Sequence, residues 1–359
     1  MSDKRSKKIL QVRIITIVAL AVILFLLILF AGRPQTIERY YSKGVYVIIC
    51  RILHPVFNLF PFSVGDILYI AAIGFLVYAL VQLVRLAFKR EFKRAGFFLL
   101  RIIICVEAAM LVFYLLWGLN YFRPPAAELL HLRDSNYTTA DLKAVTTMLI
   151  DSANASRSRV TPADLSQGNS AIYKTAVLAV QKLSTDSVNF RTYSPGIKPS
   201  LLTPLLNYLG TSGYYNPFTS EAQMNYQMPV FERPVVACHE MSHQMGYGTE
   251  DEANFAGFIA GIGSRDRLLR YSAYHLAVDE FMHALRYRDT TANNELKPRI
   301  STAVRNDFKA ERVYWLHYQG EADIISSLFY DRFLKANNQP HGLGTYNRMV
   351  LLVMALYKR

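Results

Sequence analysis

The chain has 359 residues, 52% of them hydrophobic, and carries 40 basic against 27 acidic side chains for a formal charge of +13. Such an apolar content excludes global disorder, and three scattered cysteines (Cys50, Cys105 and Cys238) exclude a disulfide scaffold. The charge excess is local: residues 1–13 hold a net +4 and residues 85–101 a net +5, whereas residues 119–359 hold 25 basic and 22 acidic residues. A nucleic-acid binder would carry its excess on the folded region. Here it flanks apolar runs, so no nucleic-acid partner is expected and membrane topology is.

Residues 14–31 are apolar for 18 positions, enough for one bilayer crossing. The run is long for a signal peptide, and the following Gly32-Arg33-Pro34-Gln35 is a poor cleavage site, so it reads as an uncleaved anchor. Further spans lie near 66–84 and 97–117. Arg101 sits at the basic end of the third, and Glu107, deep inside it, should face the bundle. Residues 1–118 therefore form a membrane region. The positive-inside rule places the N-terminal tail and the 85–96 loop in the cytoplasm. The 32–65 loop falls on the other side, with its apolar stretch 45–60 suited to the interface. Three spans put residues 119–359 outside the cytoplasm, and the lipid bilayer is the first expected partner.

In that outer region, 119–138 reads as an exit linker. Helical patterns cover 139–153 and 162–184, and the Pro- and Gly-punctuated stretch 190–230 predicts short strands and loops. From Pro234 onward the pattern is helical, with breaks near 246–249, 289–298, 319 and 338–345. The fold class is α+β, mostly helical.

The chemistry concentrates at His239-Glu240-Met241-Ser242-His243. On a helix, residues four apart share a face, so both imidazoles can reach one Zn²⁺ with Glu240 beside them as general base. Pro234 suits the first turn, and Gly246 suits the left-handed residue after the helix. Cys238 points about 100° away from His239 and reads as a buried small residue. A third ligand is offered by Glu250, Asp251 or Glu252 at the start of the next helix. Thr249 and Glu252 match a capping box, which leaves Glu250 freer to turn toward a metal. Ala253, Ala256, Gly257, Ala260 and Gly261 would let this helix pack closely on the first.

These residues resemble a zincin metallopeptidase with a glutamate third ligand, the gluzincin arrangement. The resemblance rests on the HExxH pattern and on Glu250-Asp251-Glu252-Ala253-Asn254. It implies a zincin-like domain over 119–359, Glu250 as zinc ligand and Asn254 as the residue that orients a ligand histidine. The chain also resembles an uncharacterised bacterial family of three-span membrane proteins, a domain of unknown function with a zincin-like core, through 213–222 and 339–357. That implies a bacterial inner membrane with a periplasmic C-terminal domain. In zincins the strand before the motif helix lies along the cleft. Residues 213–222 suit that role and an ordinary hairpin equally well.

Tyr346, or else His317 or Tyr318, could supply an oxyanion donor. Glu321 and Asp323 read as structural. The expectation is a membrane-anchored zinc metallopeptidase acting on a peptide or protein substrate. The alternative is a non-catalytic receptor or scaffold that keeps a zincin-like peptide-binding or structural zinc site. An intramembrane site is not expected, because 231–252 is polar and far along the chain from any span.

Overall fold

The computed structural model describes residues 3–132, 136–338 and 349–357. Three helices, Lys4–Ala31, Val64–Phe88 and Phe92–Leu116, are long and apolar enough to cross a membrane, and they mark a membrane protein. The first packs along the third, and the third along the second. The hydroxyl of Ser63 caps the second span by accepting from the Asp66 amide at 2.9 Å. The guanidinium of Arg13 donates to Phe97 O and lies 5.3 Å from the Phe97 ring, so the two basic segments share one end of the bundle. Glu107 has a buried Oε2 without a hydrogen-bond partner.

Between the first two spans the chain is helical rather than a loop: Pro34–Thr36, a π-helical stretch Ile37–Val45, and Tyr46–Asn58. The last is amphipathic at helical spacing. Tyr46, Cys50 and His54 are buried, whereas Ile48, Ile52 and Val56 face outward. Such a face suits a membrane interface. The inward face does something the sequence did not announce: it packs on the polar centre described below.

Beyond the spans, helix Thr139–Arg157 packs on Arg267–Arg288. The motif helix Arg233–His243 is enclosed by Asn169–Asp186, Glu250–Ile262 and Arg267–Arg288. Fully buried Leu149, Ile150, Met241, Phe258 and Phe281 join them in one apolar core. Each such side chain contributes about 1.5–3 kcal/mol.

The predicted 162–184 helix is interrupted. A Thr161 capping box starts Pro162–Leu165, and a new helix begins only after Gly168. The 289–298 break contains its own short helix, Thr290–Leu296, capped by Asp289. An unpredicted break before Arg267 arises because Asp266 caps the next helix through the Leu269 amide.

The 190–230 region supplies one three-stranded sheet: β1 (Ile197–Pro199), β2 (Gly213–Asn216) and β3 (Glu221–Met224). The order is β1-β3-β2, with β3 parallel to β1 and antiparallel to β2, which leaves β2 at the edge. The sheet lies against the motif helix.

Candidate metal site

The motif helix ends at His243, and Gly246 then adopts φ +82, as a chain reversal there requires. A Cβ on Gly246 would meet Asn120 Oδ1 at 3.0 Å, and one on Gly248 would meet the Tyr121 ring at 2.9 Å. The next helix returns antiparallel and close. A Cβ on Gly257 would stand 3.1 Å from the His239 amide nitrogen, and one on Gly261 would collide with Ala273 at 2.4 Å. The small residues thus set the separation that lets Glu250 face the two histidines.

His239 Nε2 lies 3.1 Å from Glu250 Oε2, and His243 Nε2 lies 4.0 Å from Glu250 Oε1. The other ring nitrogens are tied down: His239 Nδ1 donates to Asn254 Oδ1 at 2.7 Å and His243 Nδ1 to Tyr247 O at 2.7 Å. Both Nε2 atoms are thereby turned to the same point as the Glu250 carboxylate. Glu240 also comes within 4.8 Å of both imidazoles, but Glu250 is the carboxylate that hydrogen-bonds to His239. Glu240 faces the edge strand instead: a Cβ on Gly213 would fall 2.5 Å from Glu240 Oε1.

The electrostatics follow from burial and pairing. Glu240, His243 and Glu250 are 3, 5 and 6% exposed. Burial pushes the Glu240 carboxyl up to about 8 and holds the His243 imidazole below its ordinary value. Burial also acts against the charged Glu250, but the His239 hydrogen bond and the nearby imidazoles outweigh it and bring its carboxyl down to about 2. In the same way burial opposes a charged His239, and Glu250 and Glu240 override it, lifting the imidazole to about 9.

Of the residues singled out from sequence, His239, Glu240, His243, Glu250 and Asn254 come together. Glu252 turns elsewhere and accepts from the Ala126 amide at 2.5 Å. The capping box is not formed, since Thr249 makes no side-chain cap. Cys238 is buried with its thiol toward Ala176 O at 3.9 Å. Tyr318 stacks edge-on against Tyr208 and Tyr314. Asp323 sits against Gly210. Tyr346 lies outside the described residues.

Several contributors were missed. The hydroxyl of Tyr330 donates to Glu250 Oε1. Trp117, the residue after the third span, donates from Nε1 to His243 O at 2.9 Å, and its ring stands edge-on to His243 at 5.9 Å. Tyr46 donates to His243 O at 3.3 Å and Gln244 O at 3.2 Å. Arg123, buried, pairs with Glu38 at 2.9 Å and donates to Met245 O at 3.2 Å and Gly246 O at 3.0 Å. It therefore clamps the turn after the motif helix to the π-helical stretch. The one available signal was the aromatic density at the span ends. Nothing in the spacing tied Trp117 to a residue 126 positions away.

Residues 41–354 match the profile of a family described as a protein of unknown function (DUF3810), and the chain belongs to that family. The matched stretch takes in the second and third spans together with the motif helix. No curated protein matches the chain, and no solved structure does.

Proposed function

We propose that this DUF3810 member is a membrane-anchored zinc metallopeptidase. The observation that carries the reading is the convergence of His239 Nε2, His243 Nε2 and the Glu250 carboxylate on one point beside Glu240. Ligand atoms about 2.0–2.1 Å from a tetrahedral zinc stand about 3.3 Å from one another. The 3.1 and 4.0 Å separations, one to each oxygen of the Glu250 carboxylate, lie near that value. A cation at this point would also take over from a shared proton the work of holding His239 to Glu250.

When bound, zinc polarises a carbonyl and makes water a nucleophile near neutral pH. The protein residues do the rest. Asn254 and the Tyr247 carbonyl fix the imidazole tautomers. Glu240, between the metal point and β2, takes the proton of the attacking water and passes it to the leaving amine. The edge of β2 pairs with the main chain of an extended substrate, and Gly213 keeps that strand close to Glu240.

A non-catalytic receptor or scaffold draws its support from the burial of the site beneath Tyr330. Glu240 separates the two readings, because a binding site has no use for an acid between the ligand histidines. Glu240→Gln should retain zinc and lose at least about 100-fold in peptide hydrolysis. Equal hydrolysis by the zinc-loaded wild type and variant would remove the catalytic assignment.

The orientation belongs to the same proposal. Both basic segments lie at one end of the bundle, which the positive-inside rule assigns to the cytoplasm. The motif helix lies at the other end, on the periplasmic face of a bacterial inner membrane.

A further inference from the structure

From the placement of this site we infer its substrate class: a polypeptide itself anchored in the bilayer, cut within a few residues of its own membrane span. The inference rests on the peptidase reading above and adds where the scissile bond lies.

Three observations carry it. First, the site is built on the ends of the spans. Trp117 directly follows the third span and bonds to His243 O at 2.9 Å. The first turn of the second span is fastened to the sheet: the Gly65 amide donates to Glu221 Oε2 at 2.6 Å, and Asp66 accepts from the Leu201 amide at 2.6 Å and from the Tyr214 hydroxyl. Tyr69, further into that span, stacks on Tyr214 of β2 at 5.9 Å. The edge strand therefore rests on one span and the ligand histidines on another.

Second, this level is rich in aromatic side chains. Tyr69 and Tyr114 are part-exposed at the span ends, as side chains of a membrane–water interface are, and Trp117 and Tyr121 pack inward from the same level.

Third, the cover over the site continues the lipid-facing surface. Helix Glu321–Ala336 carries Tyr330 to Glu250. Its far end meets the third span, through Phe333 on Phe113 at 6.3 Å and Tyr114 on Asn337 at 3.3 Å. Leu334 is its buried residue, whereas Ile324, Ile325, Leu328 and Phe329 are 59, 66, 59 and 72% exposed. A helix packed so lightly is easily displaced. Its outward apolar face suits the bilayer interface and is unsuited to water.

The polar interface of a bilayer is about 5–7 Å deep on each side, and an extended chain advances about 3.3–3.6 Å per residue. A bond held at the level of Trp117 thus lies about one to two residues from the end of the substrate's own span. A soluble peptide would also lack the gain in effective concentration that a shared membrane provides.

The test uses the full chain, zinc-loaded, in liposomes, with two probes. One is a peptide library with a randomised ten-residue flank on a Leu/Ala span. The other is the same randomised flank without the span. Products are mapped by mass spectrometry, and Glu240→Gln is the control. The expected result is cleavage of the anchored library at least about tenfold faster, with cuts clustered next to the span. Comparable cleavage of the soluble library, or cuts spread evenly along the flank, would overturn the inference and leave the peptidase reading standing. Cleavage of neither library by zinc-loaded protein would overturn both.

A second measurement does not depend on catalysis. A spin label at Phe329→Cys, in a Cys105→Ser background, should collide more with oxygen than with a water-soluble nickel chelate. The reverse order would place the cover in water and remove the membrane-level geometry.

Discussion

The two ends of the motif helix bury the same kinds of side chain in opposite ways. At its C-terminal half each motif histidine has one nitrogen fixed by an acceptor and the other aimed at Glu250. At its N-terminal end, Glu232 lies near Glu311 and Asp279, and burial outweighs the neighbouring Arg233 charge and pushes Glu232 up to about 9 and Glu311 up to about 8. His275, 3.7 Å from Glu311, is stacked on Phe308 at 4.1 Å and pushed down to about 4 by burial. One end is arranged around a charge; the other sheds its charges. A buried histidine or glutamate is therefore not informative in itself. What distinguishes a ligand is a second nitrogen held by a neighbour and a first one that shares its target with a carboxylate.

Substitutions at the two ends should separate these behaviours. The largest effect is expected for His239→Ala or His243→Ala, which should weaken zinc binding by more than about 100-fold in chelator competition. His275→Ala should leave zinc stoichiometry unchanged and register only in thermal unfolding. A zinc defect in His275→Ala would erase the contrast.

Next comes Arg123→Ala at the C-terminal end. It leaves Glu38 with only the half-exposed Lys43, at 3.0 Å, and releases the 245–246 carbonyls. Loss of a buried pair costs about 3–5 kcal/mol, so a large fall in unfolding temperature is expected, and a shift near zero would show that the turn is held without it.

Asn254→Ala should then cost about 10–100-fold in zinc affinity, with little change in unfolding temperature of the metal-free chain. An unchanged affinity would mean that the His239 tautomer is fixed by something else.

The smallest effect belongs to the acidic end. In the unfolded chain Glu232 gives up its proton near pH 4.5, but in the fold not until about 9. Between those values the folded state holds more protons, so stability falls as pH rises. Unfolding temperature should drop by about 5 °C between pH 6 and 9, and Glu232→Gln should flatten that slope. A variant as pH-sensitive as the parent would move the effect to Glu311, Asp279 or Glu280.

Local features were the ones legible in sequence. The spans, the helical punctuation at Pro234 and Gly246, and the chelating spacing of His239 and His243 each depend on residues within a turn or two. Asn254 was legible only through the resemblance, as the last residue of Glu250-Asp251-Glu252-Ala253-Asn254. Glu250 was separable from Glu252 by the expectation of a capping box and by the resemblance. The structure turns Glu252 to the Ala126 amide without such a box and sets Glu250 against His239.

The contributions of Tyr46, Trp117, Arg123 and Tyr330 were not legible. Each is a long-range contact, and two of them, Tyr46 on the 243–244 carbonyls and Arg123 on Glu38, involve the chain between the first two spans. That stretch, read as a loop, is helical and closes the rear of the site. For the same reason the polar motif, remote from every span in sequence, stands at the span ends in space.

The most direct test is metal content of the full chain purified in detergent, beside the His239→Ala/His243→Ala double variant. Residues 32–62 and Trp117 contact the motif helix and its turn, so the membrane region belongs in the sample. About one zinc per chain, lost in the double variant, is the predicted result. No zinc after dialysis against it, or equal zinc in both proteins, would contradict the assignment of His239, His243 and Glu250 as a metal site.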